Sequence, residues 1–239
     1  MKKFIIASFA IVIFIITAGC SDSTSPNGNA DVKIVGELST PVVNAIQMIK
    51  GDNNNKIQAN EVDSIKIVRI RILLSRLKLA IDSSDSATDN ELKTGPFVYD
   101  INSTDDLVLL MSGNVPAGLY ERIKLEFHRF NASEATQYTN DPIFKDFATT
   151  DRYSIIIEGI TYMNGNPSIF EFKAQTTANL SLEFDPSLNL KEGTNTTISL
   201  QLDPNLFFKK WGSILDPNDP KNINDIENTI INTIKAVKK

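Results

Sequence analysis

The stretch Val62–Ile81, VDSIKIVRIRILLSRLKLAI, decides the fold. It is rich in β-branched residues and alternates apolar with basic side chains, which is the period of a half-buried strand and not of a helix. The alternation is imperfect. Ile65, Ile67, Arg69 and Arg71 form one set and Lys66, Val68, Ile70 and Ile72 the other, so the apolar positions change phase part-way. A bulge or bend between Val68 and Leu74 is expected, because one inserted residue resets the facing of every side chain after it.

Outward from this segment the pattern repeats. Phe97–Ile101, Leu107–Met111, Leu119–Phe130, Tyr153–Tyr162, Ile169–Ala174, Asn179–Phe184 and Thr196–Leu202 read as further strands. Turn signals stand between them: SGNVPAG at Ser112–Gly118, MNGNP at Met163–Pro167 and LKEGTN at Leu190–Asn195. Many short strands joined by polar turns, without interleaved amphipathic helices, predict a mainly β fold. The expected architecture is an antiparallel β-sandwich, immunoglobulin-like or prealbumin-like, over residues 33–210. A parallel α/β enzyme fold is disfavoured by the same observation.

Only the end of the chain reads as helical. Residues 211–239 hold a Pro-rich connector, LDPNDP with Pro217 and Pro220, and then Ile223, Ile226, Ile230, Ile234 and Val237 at steps of three and four. Asn222 or Asn224 is placed to cap this C-terminal α-helix, Asp225 and Glu227 lie early, and Lys235, Lys238 and Lys239 lie late, as the helix dipole prefers. The apolar stripe is expected to dock on the β domain; a helix that receives a partner is the alternative.

The N-terminus carries a different message. Lys2 and Lys3 precede an uncharged run from Phe4 to Ile16, followed by the small residues Thr17, Ala18 and Gly19 and by Cys20, the only cysteine. This is the layout of a secretory signal peptide over residues 1–19. The run is shorter than the roughly 20 residues of a spanning helix, and polar SDSTSPNGNAD follows it, so an uncleaved anchor is the weaker reading. The string TAGC resembles the lipobox of bacterial lipoproteins, with Thr17 where leucine is usual. That resemblance implies cleavage between Gly19 and Cys20, lipidation of the Cys20 thiol, and a membrane anchor of the multi-chain kind that holds stably. An ordinary secreted protein is the alternative. Residues 20–32 then form the lipidated cysteine and a flexible tether. Serine, and not aspartate, follows Cys20; in Gram-negative lipoproteins this pattern goes with the outer membrane, on its periplasmic face or at the cell surface.

A second resemblance lies further along. LVLLMSGNVPAGLYERIKLEF, then FEFKAQTTANLSLEF and NLKEGTNTTISLQLD, are similar to a β-sandwich domain of unknown function found in bacterial cell-envelope lipoproteins. The match covers the middle and later parts of the chain, and its motifs are structural: Pro116 and Gly118 shape a turn, and Tyr120, Ile123 and Leu125 begin a strand. It implies the fold and carries over no catalytic residue.

Composition narrows the role. The net charge of -5 becomes more negative without Lys2 and Lys3, so neither nucleic acid nor anionic headgroups are expected partners. His128 is the sole histidine; alternation places it with Tyr120, Arg122, Lys124 and Glu126 on the polar face of its strand, and one histidine without free cysteines makes no N/S zinc site. No GxSxG, GxGxxG, P-loop or HExxH string occurs. Asp52, Asn54 and Asp63 fall at EF-hand spacing, but Lys56 and Ile57 occupy places that need an oxygen ligand and glycine. Carboxylates at Asp105, Asp106, Asp141, Asp146 and Asp151 are the remaining catalytic candidates. The resulting expectation is a lipid-anchored, non-catalytic envelope protein with a structural or binding role, no cofactor and no metal, and a glycan or another envelope protein as partner. The alternatives are a carboxylate-based glycoside hydrolase acting on envelope glycans and a carrier of a small hydrophobic ligand.

Overall fold

A computed structural model describes residues 28–39, 46–47, 62–81, 90–104 and 107–239; Gly19, Cys20, Asp52, Asn54, Asp105 and Asp106 lie outside them. The strands in chain order are β1 (Asn29–Leu38), β2 (Ile46–Gln47), β3 (Ser64–Ala80), β4 (Asn90–Asn102), β5 (Val108–Pro116), β6 (Gly118–Phe127), β7 (Ile155–Met163), β8 (Asn166–Ala174), β9 (Ala178–Leu190), β10 (Asn195–Leu202), β11 (Lys209–Lys210), β12 (Ser213–Ile214) and β13 (Lys235–Lys238). The helices are α1 (Ala132–Tyr138), α2 (Pro204–Phe207) and α3 (Ile223–Thr233). The fold is mainly β, a sandwich of a four-stranded sheet in the order β13-β10-β1-β5 on a larger sheet in the order β8-β7-β3-β6-β9, with β2 and β4 also paired to β3.

The long strand β3 organises the larger sheet. Its register slips at Val68 against β7 and at Ser75 against both β4 and β6. Each bulge inserts one residue, so Ile65 and Ile67, then Ile70, Ile72 and Leu74, then Leu77 and Leu79 all enter the main core despite the broken alternation. The opposite face of β3 carries Lys66, Arg71, Leu73, Arg76 and Lys78. Tyr99 of β4 crosses the sandwich and donates to Glu37 O at 3.1 Å and Leu200 O at 3.0 Å. Its ring lies where a Cβ on Gly36 would stand, 2.4 Å from the ideal position, so only glycine fits beneath it. Burial pushes the Tyr99 phenol far above its usual value. The β7–β8 hairpin turns on Asn164 (φ 50°) and Gly165 (φ 77°), with Met163 paired to Asn166, as a two-residue turn with two left-handed positions requires.

Several expectations are corrected. The pairing is not antiparallel throughout, since β1 and β10 run parallel, Asp31 beside Asn195 and Leu38 beside Leu202. β1 begins at Asn29 with Ala30 and Val32 buried, so the last residues read as tether belong to the sheet. Ser112–Pro116 continue β5, and the chain turns at Ala117 as it passes from one sheet to the other. Tyr120 is buried because a register shift between Tyr120 and Arg122 breaks the alternation that placed it on the polar face. Helix is not confined to the end of the chain. The terminal helix is shorter than its isoleucine spacing suggests: α3 stops at Thr233, Ile234 is its C-cap, and Val237 with Lys235 and Lys238 lies in β13 on the edge of β10. Asn222 makes no side-chain cap; Asp219 caps the 3-10 turn Pro220–Asn222 that leads into α3, accepting from Lys221 N at 3.0 Å.

Candidate functional site

Two excursions leave the strands. The first, residues 128–153, lies on the outer face of the larger sheet. Asn131 and Glu134 form a capping box on α1, and Phe130, Ala135, Phe147 and Ala148 pack on Leu73 and Ile156 as a small second core. Arg71, buried under this lid, donates to Asp146 at 2.5 Å and Glu158 at 2.8 Å, with Phe147 5.9 Å from its guanidinium carbon. The Arg71 bond holds the Asp146 carboxyl below the usual carboxylate range. The three aspartates of this segment do not converge. Asp141 accepts from Ile143 N and Phe144 N, Asp146 binds Arg71, and Asp151 accepts from the Tyr153 hydroxyl at 2.8 Å. His128 lies just past β6, half-buried, with Nε2 3.2 Å from Glu134 and its ring edge-on to Phe130. That is a packing position at the root of the lid, one residue past the strand on whose solvent side it is expected.

The second excursion, Asp203–Ile234, caps one end of the sandwich. It leaves from Leu202 and returns at Lys235, beside Gln201, so both of its roots sit together. Because β10 is parallel to β1, this end is remote from Asn29 by the length of β1, about 30 Å at the usual rise per strand residue. Asp203 caps α2 by accepting from Asn205 N at 3.1 Å. Phe207 and Phe208 enter the main core, Phe208 edge-on to Phe170 and Phe172, and Ile226 and Ile230 of α3 follow them.

Two recesses flank α3. On one side an open cleft of about 770 Å3 is lined by Arg129, Tyr153, Glu171, Lys173 and Glu227, among others. Its charges compensate one another. Lys173 pairs with Glu171 at 2.7 Å and stands 5.4 Å from the centre of the Tyr153 ring. Arg129 is fixed by Arg152 O at 2.9 Å and Asp151 O at 3.0 Å, and Arg152 adopts a left-handed φ of 56°. Burial raises the Glu227 carboxyl above its usual value although Gln175 N donates to it at 3.2 Å. The hydrogen bond to Asp151, with burial, raises the Tyr153 phenol.

On the other side a groove of about 450 Å3 runs between α3 and the β11–β12 hairpin, lined by Leu206, Lys209, Lys210, Asp225, Asn228 and Asn232 with two threonines. The hairpin turns on Trp211 (φ 51°) and Gly212 (φ 84°). Trp211 is 93 % exposed. Lys210 places its ammonium 4.5 Å from the indole centre and is itself bound to Asp225 of α3 at 2.6 Å.

Among the described residues no three His, Cys, Asp or Glu side chains gather as a metal site, and no helix is long and apolar enough to cross a membrane. No family model and no curated protein matches the chain. Among solved structures, MbnP from Methylosinus trichosporium aligns over 81 % of this chain and 85 % of that one at 13 % identity, with a TM-score of 0.33. A likeness of that size carries no argument about function. Neither recess was identified in the sequence. The signal for the hairpin was present: Trp-Gly between Lys209-Lys210 and Ser213-Ile214 has the glycine of a two-residue turn, but a lone tryptophan is ordinarily read as core.

Proposed function

We propose that the protein is a lipid-anchored cell-envelope protein, moored through Cys20, whose capped end binds a polar ligand without transforming it. The observation that carries this reading is the placement of the cap. Both recesses border Asp203–Ile234, the larger one reaching across to Arg129 and Tyr153 of the lid, and the one tryptophan, nearly fully exposed, stands on the same cap, whose roots lie at the opposite end of β1 from Asn29. A lipid on Cys20 followed by Ser21–Gly28, roughly 30 Å at full extension, would hold that end away from the bilayer. The cleft offers two cations and two carboxyls, Lys173 paired with Glu171, Arg129 fixed by backbone carbonyls and Glu227 accepting from Gln175 N, together with a tyrosine ring. That surface suits a polar, uncharged or zwitterionic molecule better than a strong anion. The sandwich interior is filled by side chains from both sheets and from the cap, which gives a carrier of a hydrophobic ligand no support.

Two measurements test the reading. Replacing Cys20 by serine abolishes palmitate labelling and releases the protein from membranes; continued retention would contradict the anchor. A polar ligand of the cleft raises the melting temperature of the wild-type protein and does so less in Lys173→Ala.

One observation favours a second reading. Glu227, raised by burial, and Glu171, held by Lys173, line the same cleft, and two carboxyls with unequal environments are the minimum for glycoside hydrolysis. Turnover of a glycan that disappears in Glu227→Gln while binding persists would replace the non-catalytic reading with this one.

A further inference from the structure

The β7–β8 and β11–β12 hairpins close in the same way, through a left-handed residue followed by a left-handed glycine. At the first, asparagine fills the leading position, where its short polar side chain tolerates a positive φ. At the second the leading residue is tryptophan, a large side chain in a conformation that L residues adopt only at a cost, and it is left almost wholly exposed. Strain of this kind is concentrated at sites that use it. The indole is also held. Asp225 fixes Lys210, the Lys210 ammonium stands 4.5 Å from the ring centre on one side, and the ring is left 93 % exposed.

We propose that the free face of Trp211 and the groove beside it form a saccharide site that takes a neutral pyranose chain, one sugar ring stacking on the indole. Sugar rings present weakly polar C–H faces and a rim of hydroxyls, so a site for them needs a flat aromatic surface bordered by groups that both donate and accept hydrogen bonds. The groove supplies that border. Asn228 and Asn232 lie one helical turn apart on the exposed side of α3, each with an amide that donates and accepts. The Thr229 hydroxyl, half-buried, donates to Asp225 O, so its oxygen keeps lone pairs for a hydroxyl donor. The Lys210 charge is matched by Asp225, which suits a neutral chain. Two features argue against a membrane as the occupant. The hairpin stands at the end of β1 remote from Asn29, and every residue lining the groove except Leu206 carries a polar or charged group. This site is separate from the cleft on the other side of α3 and extends the binding reading by naming a substrate class.

Trp211 is the only tryptophan in the chain, so its emission reports directly on the site. The full-length protein is titrated with cellohexaose, chitohexaose and maltohexaose. At least one is expected to shift the emission to the blue in a saturable way and to protect the ring from acrylamide. By calorimetry, Trp211→Ala weakens binding of that oligosaccharide at least tenfold and Asn232→Ala several-fold, with unchanged melting temperatures. No change in emission or quenching with any of the three overturns the proposal, as does equal affinity in Trp211→Ala. An emission shift produced by phosphatidylethanolamine–phosphatidylglycerol vesicles and by no saccharide overturns it in favour of a membrane contact. Lys173→Ala and Cys20→Ser, which test the cleft and the anchor, leave the titration unaltered, so the two readings fail separately.

Discussion

The two excursions from the strands use the same materials for opposite ends. The lid over residues 128–153 turns Phe130 and Phe147 inward, closes over Arg71 with Asp146 and gives only its two ends, Arg129 and Tyr153, to a recess. The cap over Asp203–Ile234 also buries two phenylalanines, but it turns its tryptophan outward against a lysine that Asp225 fixes, and it borders two recesses. Aromatic content therefore does not distinguish a structural excursion from a binding one. The direction in which the ring is fixed does.

Mutation can break or sharpen this contrast. The largest effect belongs to the lid: Phe147 is fully buried, and Phe147→Ala is expected to cost about 3–4 kcal/mol by the usual loss on emptying an aromatic site, read as a lower urea midpoint and earlier proteolysis near residues 139–152. Unchanged cooperativity and midpoint would show the lid to be an appendage. Next comes Arg71→Met, which leaves Asp146 and Glu158 without their cation. Both carboxylates keep some access to water, so the cost is about 2 kcal/mol and not the larger figure of a fully buried pair. This pair has a pH signature as well. Because Arg71 lowers the Asp146 carboxyl in the folded protein, its contribution is complete above the unfolded carboxylate value and is lost as pH falls through the folded one. Wild type and Arg71→Met should thus converge in acid, and curves that stay parallel throughout the acid range would count against the pair.

In the cap the effects on stability are smaller and change sign. Trp211→Asn is expected to stabilise by about 0.5–1 kcal/mol, since it exchanges a strained exposed indole for a residue that tolerates the turn, while removing the saccharide response. A loss of stability would mean that the ring packs on something. The smallest effect is at Glu227. Burial raises its carboxyl, so the folded state is penalised once the group ionises. The penalty is absent below the unfolded value and complete above the folded one. Glu227→Gln should be slightly more stable than wild type at neutral pH and equal to it near pH 4, by paired thermal melts.

The body of the sandwich was legible because strand periodicity is local. Phe97–Ile101, Tyr153–Tyr162 and Thr196–Leu202 each announce themselves, and even the phase change after Val68 marked a real bulge. Departures arose where distant partners decide. The isoleucine stripe runs on through Ile234 to Val237, but the free edge of β10 offers Lys235–Lys238 a ladder, and that pairing ends the helix. Tyr120 follows a register slip set by β9, which no window around Tyr120 contains. The recesses were illegible for the same reason: Arg129, Lys173 and Glu227 are far apart in the chain and meet only after the cap has closed.

The parallel match between β1 and β10 has a consequence for how the chain folds. Of its two neighbours, β5 and β10, β1 acquires the second only through residues 195–202, so this sheet closes across a long stretch of chain, the kind of distant closure that slows folding. A chain cut short before Asn195 would carry β1 with a bare row of peptide groups along one side.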